Sequence, residues 1–320
     1  MRGIGWHIPK QACVTKRVMD RRAFLKSAGG MVVLNVFCSG TGPLAAAESI
    51  SPALGPEGFG CRNTGPDTPG SDTQDPAMRD SHIKDQLIKS KFFDRHFDDD
   101  VVLGDRHMGQ LRGCLTRIKR LQRLVGYANF CLLGFDEALA YAKGYARVGR
   151  FTKEELGFLE KIFYSPAAVY GFKGEKPIPQ MTDRIPEKDT VKIKHTGNYL
   201  FRGKPVETYG DIRKQIGRDA VLTSGVRGVM KQFLLFLNKA AESRGNLSMA
   251  SRSLAPPGYS FHGTGDFDVG ERGFGIDNFT EKFTQTRVYN KLSDLGYIKF
   301  RYDRENDLGV RFEPWHVEVG

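Results

Sequence analysis

Between residues 86 and 165 the apolar residues fall at helical steps. Ile118, Leu121, Leu124 and Val125 recur every three or four positions, and Phe135 to Ala146 is dense in Ala, Leu and Tyr. That period buries one side of a helix and predicts a small helical subdomain. Thr152 followed by Glu155 predicts a capped start for a helix carrying Leu156, Leu159, Ile162 and Phe163. Between 166 and 215 the pattern shortens to β-like pieces, Val191 to Ile193 and Tyr199 to Phe201, set among Gly and Pro. Ala220 to Thr223 is an apolar run suited to a buried strand, broken by Ser224-Gly225. A helix should follow with Met230, Phe233, Leu234, Leu237 and Ala240 on one face and a stop near Gly245-Asn246, leaving Gln232 about a turn from its start and off that face. Asn278 to Glu281 predicts a further capped helix, with Phe283, Val288, Leu292 and Leu295 toward the core and Gly296 at its end. Helices first, then short strands mixed with helices, predict an α+β fold.

Upstream the pattern vanishes. Residues 48–85 are rich in Gly, Pro, Ser, Thr and Asp with little to bury, and predict a flexible linker. The full 320 residues, with 40% hydrophobic and 27% charged, exclude disorder of the whole chain. No apolar run reaches the roughly 20 residues that a membrane span requires. The net charge of +11 suggests nucleic acid at first sight, but residues 1–47 hold seven of the 48 Lys/Arg and one of the 37 Asp/Glu, leaving 41 against 36 in the remainder. That surplus is too mild to imply nucleic acid, and no basic run interleaved with aromatics supports it.

The excess of charge at the start has another reading. Asp20-Arg21-Arg22-Ala23-Phe24-Leu25-Lys26, the modest apolar stretch Met31 to Phe37, and Ala45-Ala46-Ala47 together resemble a bacterial twin-arginine signal peptide. That resemblance implies a leader over residues 1–47 and a periplasmic or other extracytoplasmic protein. Cysteine use is compatible: Cys13 and Cys38 fall in the leader, leaving Cys61, Cys114 and Cys131. At most one bridge can form from three, with Cys114 and Cys131 either paired or buried as free thiols.

Candidate chemistry begins after Ala220. Arg227 stands at the end of the predicted strand. Ser260-Phe261-His262-Gly263-Thr264-Gly265-Asp266-Phe267-Asp268 sets one histidine and two alternating aspartates among glycines, a plausible half-site for Zn²⁺, although Asp and Gly are also common turn residues. The second half-site is Glu313-Pro314-Trp315-His316 near the carboxyl end. Glu313 and His316 would point to opposite faces of a regular strand, so a kink at Pro314 is needed for both to serve one metal; the alternative is an edge strand with a buried Trp315.

In order, Ser224-Gly225-Val226-Arg227 with Gln232, the Ser260-x-His262 segment with Asp268, Gly296-Tyr297-Ile298 through Arg301-Tyr302 to Gly309-Val310, and Glu313-Pro314-Trp315-His316 resemble the zinc D-alanyl-D-alanine carboxypeptidases of the VanY type. The resemblance covers about residues 215–320. It implies His262, Asp268 and His316 as zinc ligands with a fourth position left to water, and Glu313 as general base and then acid. It also implies Arg227 on the substrate carbonyl or oxyanion, and Ser260 and Gln232 at the terminal D-alanine of a peptidoglycan peptide. One feature departs from the family, where the liganding Asp follows the His by seven residues; here Asp268 follows His262 by six and Asp266 by four. Asp268 is the expected ligand and Asp266 the fallback, with the pocket beside them altered. The implied organisation is a helical subdomain over 86–200 and a zinc peptidase domain over 201–320 with a hedgehog-like α+β core, a small antiparallel sheet with helices packed on it. The same zinc site also suits a cross-link endopeptidase or an L,D-peptidase, and the scaffold a noncatalytic wall-binding module. Of the other histidines, His96 with Asp98, Asp99 and Asp100 is the best cluster, and a solvated acidic turn explains it.

Overall fold

The computed structural model describes residues 76–296 and 298–319, so the twin-arginine motif, Cys61 and most of the predicted linker lie outside the described residues. Five helices come first: α1 (Pro76–Lys91), α2 (Asp105–Val125), α3 (Tyr127–Phe130), α4 (Phe135–Gly144) and α5 (Lys153–Tyr164). The buried stripe of α2 is Leu111, Cys114, Leu115, Ile118 and Leu121, the three- and four-residue steps of one helix face. The expected capping box opens α5: Glu155 N–H donates to Thr152 Oγ1 at 3.2 Å and Thr152 N–H to Glu155 Oε2 at 2.9 Å. Arg117 of α2 donates to the same carboxylate at 2.7 Å, so one side chain both starts α5 and ties it to α2. Cys114 and Cys131 are buried free thiols.

A two-stranded ribbon, β1 (Thr190–Lys192) with β2 (Tyr199–Phe201), leads to α6 (Lys204–Ile216) and β3 (Ala220–Ser224). Then come α7 (Val229–Glu242), α8 (Leu247–Ser253), β4 (Phe267–Glu271), α9 (Arg287–Asp294), β5 (Lys299–Phe300) and β6 (His316–Glu318). The main sheet has the order β3-β4-β6-β5 and every pair is antiparallel. The terminal strand β6 is therefore interior, not an edge. Phe267, Val269, Val317 and Val319 join Ile212, Leu222, Val288, Leu292 and Trp315 in the core beneath the sheet. The alternate residues Asp266, Asp268, His316 and Glu318 consequently share the other face.

The division placed at residue 200 runs through a continuous core. Phe233, Leu234, Phe236 and Leu237 of α7 are all buried with α2, α4 and α5, and Phe163 of α5 packs against Phe233 at a centroid distance of 6.1 Å. An α7 that is apolar well beyond one stripe needs cover from the helical region as well as from its own neighbours.

Two local expectations change. Residues 275–285 form 3₁₀ turns and α9 starts only after Thr286, whose Oγ1 accepts Tyr289 N–H at 3.1 Å. Asn278 is diverted to β4, accepting Glu271 N–H at 2.7 Å and donating to Glu271 O at 3.1 Å, as a strand neighbour would. The acidic turn near His96 is not simply solvated: the side chain of Asp100 is shielded from solvent and accepts from Arg252 Nη1 at 2.6 Å and from Asn246 Nδ2 at 2.6 Å. No described helix is long and apolar enough to cross a membrane.

Candidate metal centre

Sheet register builds the centre. Asp268 of β4 is the direct partner of His316 of β6, and Ser224, across an irregularity in β3, is the partner of Asp268 on its other side. Three residues of the terminal segment form a turn before β6, with His316 N–H donating to Glu313 O at 3.1 Å. That turn is the kink required at Pro314, and it returns the Glu313 carboxylate to within 3.9 Å of His316 Nδ1. His262 arrives from a 3₁₀ turn, Phe261–Gly263, pinned to the end of β3 by Arg227 N–H donating to His262 O at 3.2 Å. Gly265, at φ 152°, lets the chain swing from that turn into β4.

One ligating atom from each of His262, Asp268 and His316 lies within 4.8 Å of the others, and all three side chains are buried. His262 Nδ1 is 2.9 Å from the carbonyl oxygen of Gly225. A carbonyl can only accept, so Nδ1 carries the hydrogen and Nε2 presents its lone pair inward. Gly225 is needed there because a Cβ would collide with the carbonyl of Tyr199. His316 is turned the other way, with Nε2 3.0 Å from Asp266 Oδ2 and Nδ1 3.2 Å from Asp268 Oδ1. His262 Nε2 and Asp268 Oδ1 stand 3.2 Å apart, yet neither has a hydrogen-bond partner in the protein. Buried polar atoms left unpaired in this way are costly, and two imidazole nitrogens with one carboxylate oxygen are a donor set that a Zn²⁺ ion satisfies.

The electrostatics agree. Burial, reinforced by Arg227, lowers the His262 pKa to about 4, which keeps the ring neutral and its lone pair available. Burial opposes the imidazolium at His316 too, but the Asp266 and Asp268 carboxylates facing its two nitrogens outweigh it and raise that pKa to about 9. A field that favours a proton on Nδ1 favours any cation at the same place. Burial would raise both aspartates, but the facing His262 and Arg227 hold Asp268 far below the usual carboxylate range, and His316 and Arg301 do the same for Asp266. Glu313 behaves oppositely: desolvation raises its pKa, with Arg311 only partly compensating. One carboxylate is thus kept ionised beside one whose proton affinity is increased.

A small cleft above these atoms is lined by Arg227, Gln232, Ser260, Tyr302 and Glu313 together with the two histidines. The expected residues are brought together, with two adjustments. Gln232 is buried, not solvated: Nε2 donates to Arg227 O at 2.7 Å and Oε1 accepts Gly258 N–H at 2.8 Å, bracing the two loops of the cleft. Arg227 spends Nη2 on Asp268 Oδ2 at 2.5 Å and Nε on Ser224 Oγ at 2.9 Å. Asp266 lies against the far nitrogen of His316 and is not one of the three converging groups.

Residues 206–319 match the family model of VanY, D-alanyl-D-alanine carboxypeptidase. The match is confined to this part of the chain. Solved structures similar to it include the LdcB LD-carboxypeptidase, at 26% identity and a TM-score of 0.34, covering 40% of this chain and 63% of that one. A mutant of the vancomycin-resistance D,D-pentapeptidase VanY in complex with Zn(II) aligns at 24% identity and 0.34, covering 42% and 82%. VanYB in complex with D-alanine-D-alanine aligns at 24% and 0.35, covering 45% and 81%. The chain thus spans less than two thirds of the LdcB chain. No curated protein matches it.

The VanY segment also uses residues to which the sequence assigned no role. Tyr302 packs its ring 4.9 Å from that of His316, Arg311 lies 3.7 Å from Glu313 Oε1, and Arg301 grips Asp266. Arg301-Tyr302 sits within the motif order, but nothing local reveals that a chain segment returning past β5 will reach the centre.

Proposed function

We propose that the chain is an exported, zinc-dependent peptidoglycan peptidase that hydrolyses D,D peptide bonds of the D-Ala-D-Ala carboxypeptidase type. The observation that carries this reading is the convergence of three buried ligating atoms, two of them without hydrogen-bond partners, beside a buried Glu313. His262 Nε2, Asp268 Oδ1 and His316 Nδ1 would hold the ion. Bound there, Zn²⁺ supplies a Lewis acid that polarises the scissile carbonyl and makes water acidic enough to attack near neutral pH.

The protein does the rest. Glu313 accepts a proton from the attacking water and delivers it to the leaving amine as the C–N bond breaks, a task suited to a carboxylate whose pKa is raised by burial. Arg227 holds Asp268 in place and borders the position of the carbonyl oxygen, where one preorganised donor is typically worth ~3 to 4 kcal/mol. Ser260 and the unused hydrogen of Gln232 Nε2 line the cleft where the terminal D-alanine would sit. The Arg21-Arg22 leader would deliver the enzyme across the cytoplasmic membrane to its substrate.

Metal analysis of the purified protein should find about one zinc per chain, lost in His262→Ala and His316→Ala. Mass spectrometry of peptidoglycan incubated with the protein should show loss of terminal D-alanine. Cross-link cleavage or loss at an L,D bond would keep the zinc chemistry and change the bond; zinc without any cleavage would indicate a binding module, for which Glu313 has no use.

A further inference from the structure

Both nitrogens of His316 face carboxylates. Nδ1 is directed at Asp268 and Nε2 at Asp266, and Asp266 immediately precedes β4, two residues before Asp268. Because β4 pairs with β6 in the register Asp268 opposite His316, the residue two positions earlier on the same face reaches the far edge of the imidazole. The Asp-x-Asp spacing thus places one carboxylate at each end of the ring.

Asp266 is held much more rigidly than that contact requires. Its Oδ2 accepts from Arg301 Nε at 2.5 Å, and its Oδ1 accepts Val319 N–H at 2.9 Å and a longer bond from Arg301 Nη2 at 3.4 Å. Its side chain is fully buried. Arg301 in turn lies 3.7 Å from the centre of the Phe261 ring, next to His262, and 3.7 Å from Glu318 Oε1 on β6. The two histidines are therefore oriented by unequal devices, a neutral backbone carbonyl for His262 and an arginine-clamped carboxylate for His316. A charged acceptor at Nε2 fixes the hydrogen there and makes Nδ1 the better donor.

We propose that Asp266, clamped by Arg301, is a positioning residue that fixes the tautomer and angle of His316 so that Nδ1 presents its lone pair to the metal. This rests on the zinc reading above. A carboxylate two residues before the ligand, serving the second histidine instead of the ion, also accounts for an aspartate at a position where the spacing left two candidates.

The test uses the full chain carrying Asp266→Ala, Asp266→Asn or Arg301→Met, with zinc affinity measured by chelator competition and the absorption spectrum of the Co²⁺-substituted protein as the report on ligand geometry. Thermal melting of the metal-free forms controls for folding. Asp266→Ala should weaken zinc by about 10- to 100-fold and shift the Co²⁺ bands, as loss of such a partner typically does. Asp266→Asn, whose amide oxygen still accepts from Nε2–H, should restore part of the affinity. If Asp266→Ala does not fold, the near-isosteric Asp266→Asn alone decides, with a several-fold weaker affinity and shifted bands expected. Unchanged affinity and spectrum in a folded Asp266 variant would overturn the proposal, as would a loss of metal as complete as in Asp268→Ala, which would make Asp266 itself a ligand. A wild-type protein that binds no zinc overturns the zinc reading itself and this inference with it, an outcome distinguishable because it is read before any substitution is made.

Discussion

Arg227 donates from Nη2 to Asp268 Oδ2 at 2.5 Å, while the other oxygen of that carboxylate stands 3.2 Å from each of His262 Nε2 and His316 Nδ1. The guanidinium therefore sets the rotation of Asp268 and leaves Oδ1 for the centre. An arginine at a strand end acts here on the ligand set as well as on the cleft.

Arg227→Ala should consequently lower zinc affinity by about 10- to 100-fold, as loss of a partner that orients a ligand does, and lower kcat by about 10²- to 10³-fold. Arg227→Lys should retain part of both, because an ammonium replaces the charge but not the two-pronged geometry. Metal competition and steady-state turnover on a D-Ala-D-Ala peptide measure the two effects separately. Full metal affinity with lost turnover would confine Arg227 to the substrate.

Glu313→Gln should keep zinc and fold while losing activity by about 10²- to 10⁴-fold, toward the upper end because the same carboxylate acts in both proton transfers. Glutamine preserves shape and hydrogen bonding but accepts no proton. Metal content and kcat of the same preparation check this; loss of metal would make Glu313 a ligand.

Asp100 predicts an acid limit to stability remote from the centre. Burial opposes its ionisation, but hydrogen bonds from Arg252, Asn246 and Phe97 N–H win and lower its pKa below the ordinary 3.8. A group depressed in the folded state stabilises it above the unfolded pKa, and that contribution fades as pH falls from 3.8 through the folded value. Asp100→Asn leaves Arg252 buried without its counter-charge and should cost about 3 to 5 kcal/mol at neutral pH. Its unfolding free energy should also depend less on pH across the acid range than that of the parent, which urea titrations at a series of pH values would measure.

Changing Arg21 and Arg22 together to Lys should retain the precursor in the cytoplasm, since the export receptor reads guanidinium groups and not charge alone. Cell fractionation with detection of the uncleaved form reports it. Undiminished export of the double variant would point to a different route.

Much of the local structure was legible from residues a few positions apart. The stripe Ile118, Leu121 of α2, the Thr152–Glu155 box of α5 and the apolar faces of α7 depend on contacts within one or two helical turns, which spacing and capping residues encode directly. His262, Glu313 and His316 were visible for a related reason: few residue types bind metal or move protons, and here they stand within short distinctive motifs.

What the spacing left open was which aspartate meets the histidines. Asp266 and Asp268 share a strand face, and a period of two cannot distinguish them. The choice belongs to the pairing of β4 with β6, made by hydrogen bonds between segments far apart in the chain, and it sets Asp268 opposite His316 and Asp266 behind it. The same holds for Gln232, buried by the loop that brings Gly258 to it, and for Asp100, which reads as a solvated turn until Arg252 docks on it. Periodicity and capping are local interactions and so are written locally; register, burial of polar groups and the partners of a charge depend on distant segments meeting, and only the folded arrangement decides them.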